Sequence, residues 1–133
     1  MKKVIIITGA SRGIGAAIAY GATAQAYAVC VNYVRDRDAA ERVVKAIAMR
    51  GGIAVAIQAD VAIESEVVQL FEQVDSSLGR VTALVNNAGI LALQARVDEM
   101  DAARITSGRR AETAPRCATF CPRSGQRRWR ITR

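Results

Sequence analysis

The sequence predicts an α/β fold in which a doubly wound parallel sheet carries helices on both faces. Short segments rich in valine, isoleucine and alanine alternate with longer segments of helical period through the first hundred residues. A glycine-rich turn directly follows the first of the short segments. Alternating strands and helices are joined by right-handed crossovers, which place the strands parallel in one sheet. We therefore expect one domain over residues 1–105 and an irregular, arginine-rich tail over 106–133.

Four segments have the composition of buried strands, because they are short and consist mostly of β-branched or small apolar residues. They are residues 4–8, 28–33, 53–59 and 82–86. Helical spacing of apolar residues predicts helices over 13–25, 38–50 and 64–78, with a further helix over 98–105. Gly51 and Gly79 follow two of these helices and end them. In the 64–78 helix, the predicted buried face comprises Val67, Val68, Leu70, Phe71 and Val74.

The glycine-rich turn reads Thr-Gly-Ala-Ser-Arg-Gly-Ile-Gly over residues 8–15. Gly9 can take the positive φ of a turn that leaves a strand, Gly13 lets the backbone approach a phosphate, and Gly15 permits close packing of helix on strand. The N-terminus of the following helix favours an anion. We therefore predict a dinucleotide pyrophosphate site, with a purely structural turn as the alternative. The predicted cofactor-binding residues of the turn are Gly9, Ser11, Arg12, Gly13, Ile14 and Gly15.

Two further motifs lie at the carboxyl ends of predicted strands. Ala59-Asp60-Val61 follows the third strand, and Asn86-Asn87-Ala88-Gly89 ends the fourth. With the 8–15 turn and in this order, they make the chain resemble the short-chain dehydrogenase/reductase family over residues 1 to 105, the nucleotide-binding half. The resemblance implies a Rossmann-type sheet, truncated to about four strands in the order 3-2-1-4. It also implies hydride transfer between a nicotinamide and a carbonyl or alcohol substrate.

The resemblance assigns roles to the residues of these two motifs. It implies that Asp60 binds the adenine amino group, with Val61 beside the ring; the alternative is that Asp60 caps the following segment. It implies that Asn86 ties the central strands together. The residues implied to contact the nicotinamide-side ribose are Asn87, Ala88 and Gly89, and the alternative for the asparagine pair is ordinary turn chemistry.

The end of the second predicted strand bears on the choice of cofactor. Family members that prefer NAD carry an acidic residue there, whereas this chain has Asn32 and Tyr33, with no carboxylate before Asp36. Arg12 lies inside the turn, and a guanidinium presents a planar, bidentate donor face to a phosphate. The resemblance therefore implies NADP(H), with NAD(H) as the alternative and with Asn32 and Tyr33 among the cofactor-binding residues. Arg12 and Arg35 could instead be ordinary solvated charges.

The family's catalytic Tyr-x-x-x-Lys pair is not found in this sequence. Tyr20, Tyr27 and Tyr33 are each followed four places on by a residue other than lysine. We therefore predict no catalytic residue, and expect a truncated, inactive form of an NADP-dependent oxidoreductase. A reading-frame shift near codon 106 is our hypothesis for the tail. An alternative function is a non-catalytic NAD(P)-binding module in a complex with intact relatives.

Charge is concentrated in the tail. Residues 1–106 carry eleven Lys/Arg and eleven Asp/Glu, whereas 107–133 carry eight Arg and one Glu, so the net charge of +7 belongs wholly to the tail. Because the tail lacks helical or strand period, we expect it to be disordered. Nucleic-acid binding through the tail, which contains Arg127, Arg128, Trp129 and Arg130, is an alternative function. We favour an accidental tail and predict no nucleic-acid partner.

Composition limits the other partners. No apolar run approaches the ~20 residues of a membrane-spanning helix, so no membrane partner is predicted. Three cysteines without framework spacing indicate a reducing, cytoplasmic setting, and the lack of histidine argues against a metal site.

Two structural expectations follow from the resemblance. Ala26 stands where the family usually places a glycine as left-handed helix cap, which should destabilise the fold by about 1 kcal/mol. The strand over 82–86 would be an exposed sheet edge, through which homo- or hetero-oligomers could form.

Overall fold

Four strands and three helices alternate along residues 2–89, the part of the chain that the computed structural model describes. They run in the order β1 (Lys3–Ile7), α1 (Gly13–Ala24), β2 (Tyr27–Tyr33), α2 (Arg37–Met49), β3 (Ala54–Gln58), α3 (Glu64–Ser77) and β4 (Ala83–Val85). All seven elements predicted for this part of the chain are present, with ends that differ from the prediction by one residue or none. The helix expected over 98–105 and the tail over 106–133 lie outside the described residues.

The four strands form one parallel sheet in the order β3-β2-β1-β4, which confirms the predicted fold and strand order. In β1, Ile5 is paired with Val29 on one side and with Ala83 on the other. Thr82 extends the β4 pairing, because its hydroxyl accepts from the backbone N–H of Val4 at 3.0 Å and donates to the Val4 carbonyl at 2.9 Å. Since the strands are parallel, their carboxyl ends meet at one edge of the sheet.

Helices cover both faces of this sheet, as the alternating direction of strand side chains requires. Val4 and Ile6 of β1 pack with α3 residues such as Leu70 in one core layer. Ile5 and Ile7 pack in the other layer, which α1 and α2 cover. The predicted face of α3 is correct at Val67, Leu70, Phe71 and Val74, which are buried. It is wrong at Val68, which is exposed.

The turn between α1 and β2 contains the left-handed residue that the sequence led us to expect. Ala26 has a φ of 63°, and among residues 2–89 it is the one non-glycine residue with positive φ. Its backbone N–H donates to the carbonyl of Thr23 at 2.9 Å, which closes the C-terminal turn of α1. The prediction that an alanine occupies a glycine-type helix cap is therefore confirmed. None of the three helices in this part of the chain is long and apolar enough to cross a membrane.

Candidate functional site

Among the segments that leave the carboxyl edge of the sheet, three carry the sequence motifs. They are the turn after β1, the loop after β3 and the segment after β4. The chain runs from β1 through β2 to β3 on one side and returns to place β4 on the other side of β1. In open α/β sheets, ligands bind in the crevice at such a reversal of strand order. The sequence motifs therefore surround the position where a site is expected.

The turn over 8–15 has positive φ at Gly9, as the sequence predicted, and also at Gly13. Gly9 and Gly13 have φ angles of 61° and 58°, a region that side chains other than glycine rarely adopt. A Cβ added to Gly15 would lie 2.5 Å from the Gly9 carbonyl oxygen and 2.6 Å from the Asn87 amide nitrogen. A Cβ on Gly13 would meet no atom within 4 Å. The first turn of α1 is thus packed tightly at Gly15 and open at Gly13.

Asn87 and Thr8 connect the turn to the segment after β4. The Asn87 side-chain nitrogen donates to the carbonyls of Thr8 and Gly9, both at 3.1 Å. The Thr8 hydroxyl accepts from the backbone N–H groups of Asn87 and Ala88, both at 2.9 Å. The structure therefore gives to Asn87 the strand-tying role that the resemblance assigned to Asn86, whose side chain is exposed. Thr8, the first residue of the turn motif, was not among the predicted site residues.

Asn32 also holds the turn in place. Its side-chain oxygen accepts from the Gly9 N–H at 3.3 Å, and its amide nitrogen donates to the carbonyls of Ala59 and Ile57 at 3.0 and 3.3 Å. Asn32 is only 1% exposed, and Tyr33 is buried in the core layer under α1 and α2. Both side chains therefore contribute to the fold, and their contact with a nucleotide remains a prediction from the resemblance.

A cleft of about 510 Å³ opens beside the loop after β3. Its lining residues are Val34, Gln58, Asp60, Ile63, Glu66 and Gln69. One carboxylate oxygen of Asp60 accepts from the backbone N–H of Ala62 at 2.9 Å, and the Asp60 N–H donates to a Glu66 carboxylate oxygen at 2.5 Å. Asp60 thus stabilises the turn that follows it, in agreement with the alternative that it caps the following segment. It also lines the cleft. The half-buried Val61 packs against the α3 core layer.

Unpaired basic side chains and a capping carboxylate surround the N-termini of α1 and α2. Arg12 is the N-cap residue of α1. Within residues 2–89, the exposed side chains of Arg12 and Arg35 make no hydrogen bond or ion pair. Asp36 caps α2, because its carboxylate accepts from the Ala39 N–H at 2.9 Å. Ile14, at the start of α1, is 73% exposed.

Other chemically notable side chains lie elsewhere. The Tyr27 and Tyr20 rings lie beneath the cationic groups of Lys3 and Arg50, at 5.5 and 5.0 Å from the ring centroids. Burial of Cys30 in the sheet raises the pKa of its thiol to about 12. No group of three or more metal-ligating side chains occurs in the described part of the chain.

Comparison with known proteins gives consistent matches for this chain. A family model described as short chain dehydrogenase matches residues 3–108. An uncharacterized oxidoreductase of Escherichia coli, YgfF, is 42% identical over 102 residues, which are 77% of this chain and 41% of that protein. The 3-oxoacyl-[acyl-carrier-protein] reductase FabG of Staphylococcus epidermidis is 48% identical over 90 residues, 68% of this chain and 37% of the reductase.

Solved structures match over a larger part of the chain. A blue fluorescent protein from a metagenomic library, in complex with NADPH, is 37% identical with a TM-score of 0.76, covering 85% of this chain and 47% of that one. The angucycline C-6 ketoreductase LanV with bound NADP is 33% identical with a TM-score of 0.75, and the match covers 85% of this chain and 46% of LanV. The chain therefore spans less than half the length of these relatives.

Proposed function

Because the chain belongs to the short-chain dehydrogenase/reductase family, we propose that it binds NADP(H) at the carboxyl edge of its sheet. The whole-protein activity that we propose is hydride transfer between the nicotinamide and a small carbonyl or alcohol substrate. The observation that carries the proposal is the 8–15 turn, whose open side at Gly13 lies at the N-terminus of α1. A phosphate would accept from the unpaired N–H groups there and be favoured by the helix dipole.

Each part of the cofactor has proposed contacts among the described residues. The pyrophosphate would lie against the turn, with Ser11, Arg12 and Ile14 beside it. The adenine would enter the cleft at Asp60 and Val61, and the nicotinamide-side ribose would contact segment 87–89. Asn87 would reach the ribose mainly through its backbone, because its side-chain nitrogen is already bonded to the turn. When bound, the cofactor supplies or accepts the hydride.

The preference for NADP(H) over NAD(H) is supported by the charges near α1 and α2. Recognition of an unphosphorylated ribose needs a carboxylate that can accept from its 2′-hydroxyl. The nearest candidate after β2 is Asp36, which is engaged in capping α2. Arg12 and Arg35, in contrast, are exposed and unpaired within residues 2–89, so they can contact a 2′-phosphate. The NADPH and NADP bound in two of the matching structures agree with this preference.

We assign no described residue to transfer of the substrate proton. Tyr20 and Tyr27 face cationic side chains, and Tyr33 is buried in the core. We therefore propose cofactor binding, and no catalytic step, for residues 2–89. Catalysis needs its own assay. A turnover assay with NADPH and a panel of carbonyl compounds separates an active enzyme from a binding module that acts with intact relatives.

The binding proposal is tested by calorimetry on the 133-residue chain with NADPH and NADH, using two matched glycine variants. Gly13 and Gly51 both have positive φ, and a Cβ on either would meet no atom within 4 Å. Gly13→Ala and Gly51→Ala should therefore destabilise the fold similarly, by about 1 kcal/mol. We expect only Gly13→Ala to lose NADPH binding, because only its methyl group would project from the turn. A folded wild-type chain that bound neither nucleotide at millimolar concentration would contradict the proposal.

A further inference from the structure

Two half-exposed apolar side chains line the cleft beside the loop after β3. Val34 is 42% exposed and Ile63 is 44% exposed, while the other four lining residues are polar or acidic. Single exposed apolar residues are common on protein surfaces, so what distinguishes this pair is that both residues line the same cleft. A cleft that offers two apolar side chains among polar ones can hold a flat heteroaromatic ring, whose faces are apolar and whose edge carries polar atoms.

Ile63 also occupies a position in which isoleucine is poorly suited to the fold. It is the N-cap residue of α3, with extended backbone at φ −108° and ψ 115°, and its side chain makes no capping hydrogen bond. Serine, threonine, aspartate and asparagine stabilise this position because they accept from the first free N–H groups of a helix. The N-cap of α2 follows that rule with Asp36. The fold therefore gives no reason for isoleucine at residue 63.

The cleft is held at a defined position relative to the 8–15 turn. Asn32 bonds to the Gly9 N–H in the turn and to the Ala59 carbonyl, which directly precedes Asp60 in the cleft wall. Glu66 accepts from the Asp60 N–H, and Gln58 donates to the Val34 carbonyl at 2.8 Å, so four of the six lining residues are joined in two hydrogen-bonded pairs. A base in the cleft and phosphates at the turn would therefore bind to one connected framework.

We propose that Ile63 is a specificity-determining residue that, with Val34, forms the apolar contact for the purine ring of the bound nucleotide. The inference rests on the proposed function and extends it. Isoleucine at the α3 N-cap then has a physical reason, because its apolar side chain stabilises the bound base. The same side chain leaves the helix without a side-chain cap. Binding and stability should therefore respond in opposite directions when this side chain is replaced by a capping one.

The test is Ile63→Ser, with nucleotide affinity measured by calorimetry and stability by thermal denaturation without ligand. We expect the variant to melt at a higher temperature, because serine caps α3. We expect it to bind NADPH about five- to tenfold more weakly, as loss of a small apolar contact area implies. Adenosine 2′,5′-bisphosphate, used as a probe without the nicotinamide, should lose affinity by the same factor, and nicotinamide mononucleotide should not.

Three further variants control the result. Val68→Ser replaces another exposed apolar residue, 37% exposed on the same helix but not among the cleft-lining residues, and should bind NADPH as the wild type does. Ile63→Val keeps an apolar side chain and should retain affinity. Val34→Ser should weaken binding without adding a helix cap, and it also tests the cleft if Ile63→Ser does not fold.

The outcomes distinguish this inference from the function on which it rests. Unchanged affinity in both Ile63→Ser and Val34→Ser would overturn the inference while leaving cofactor binding intact. A fall in both stability and affinity in Ile63→Ser, with Val34→Ser binding normally, would show a structural role and also overturn it. A folded wild-type chain that binds no nicotinamide nucleotide would overturn the proposed function, and this inference with it.

Discussion

Ala26 illustrates at the residue scale how a backbone conformation imposed by a turn overrides the preference of a side chain. The connection from α1 to β2 needs a left-handed residue, and alanine takes that conformation at φ 63°. Its Cβ makes the conformation unfavourable by about 1 kcal/mol relative to glycine. The surrounding helix and strand supply enough packing energy to maintain it.

We predict that Ala26→Gly raises the free energy of unfolding by about 1 kcal/mol, because glycine removes this strain. Urea denaturation of the two proteins measures the difference. Ala48→Gly, the same change at an exposed position inside α2, is the control and should lower stability by a similar amount. Equal effects of the two substitutions would contradict the interpretation of the turn.

Cys30 provides a prediction about pH dependence. Its thiol has a pKa of about 12 in the fold because burial disfavours the thiolate, against an ordinary value of 9.0. The unfolded chain therefore loses this proton near pH 9 while the folded chain keeps it, so the thiol's contribution to stability is complete below pH 9 and falls as pH rises toward 12. The expected slope is up to about 1.4 kcal/mol per pH unit.

The measurement compares urea denaturation of the wild type and Cys30→Ala at several values between about pH 8 and 11. The alanine variant is less stable at neutral pH because a buried side chain is shortened, but its stability should fall less steeply above pH 9. Parallel curves for the two proteins would show that the Cys30 thiol ionises as readily in the folded chain as in the unfolded one.

At the element scale, α1 contains three glycines with different functions. Gly13 begins the helix with positive φ and Gly15 packs against the 8–15 turn, whereas Gly21 is exposed and a Cβ there would meet nothing within 4 Å. Gly21 therefore weakens the helix without serving a turn or a close approach. The sequence alone does not distinguish Gly21 from the other two glycines, because no local pattern reveals free space around a residue.

We predict that Gly21→Ala stabilises the protein by about 0.5–1 kcal/mol, through the better helix propensity of alanine. Gly15→Ala is the matched comparison within the same helix. Its methyl group would collide with the Gly9 carbonyl and the Asn87 amide, so we expect loss of stability. Thermal denaturation measures the change in melting temperature, which should be an increase for Gly21→Ala and a decrease for Gly15→Ala. A lower melting temperature for Gly21→Ala would mean that α1 is not a continuous helix at this residue.

The helix α3 shows why the buried face was only partly predictable. Five apolar residues recur at helical spacing, yet Val68 is exposed while Val67, Leu70, Phe71 and Val74 are buried. At about 100° per residue, the four buried residues share one arc of about 100° around the helix axis; of the neighbours Val67 and Val68, only Val67 lies within that arc. Which of them faces the sheet depends on how the whole helix is rotated against it.

At the scale of the whole molecule, β3 and β4 are the two edge strands of the described sheet, and β4 is the shorter of them. Within residues 2–89 it is hydrogen-bonded to β1 on one side only, and its three residues are half-buried. A strand edge with apolar side chains favours pairing with another chain. Homo- or hetero-oligomer formation through this edge is therefore our proposal for how the chain associates.

We predict that the purified 133-residue chain self-associates in a concentration-dependent manner. Size-exclusion chromatography with light scattering over a dilution series measures the mass of the particles. Addition of NADPH should raise the melting temperature, because a ligand that binds the folded state stabilises it by mass action. A chain that remained monomeric over the whole series and melted in one cooperative transition would contradict the edge proposal, with no bearing on cofactor binding.

The sequence alone determined the features that depend on neighbours along the chain. Alternation of strand and helix and the glycine-rich turn follow from local rules of periodicity and φ, whereas the left-handed position of Ala26 was expected from the family resemblance. The strand order was likewise expected from the family resemblance, which the three motifs carry. They could not indicate which way a polar side chain at a strand end would point.

Only the tertiary structure decided the roles of the asparagines and of the residues that line the cleft. The side chains of Asn32 and Asn87 bond to groups between 23 and 79 positions away along the chain, and the order β3-β2-β1-β4 is what brings those groups within reach. Ile63 differs from other exposed apolar residues only because a cleft forms beside it. Hydrogen bonds and clefts of this kind depend on distances in space, which sequence separation does not determine.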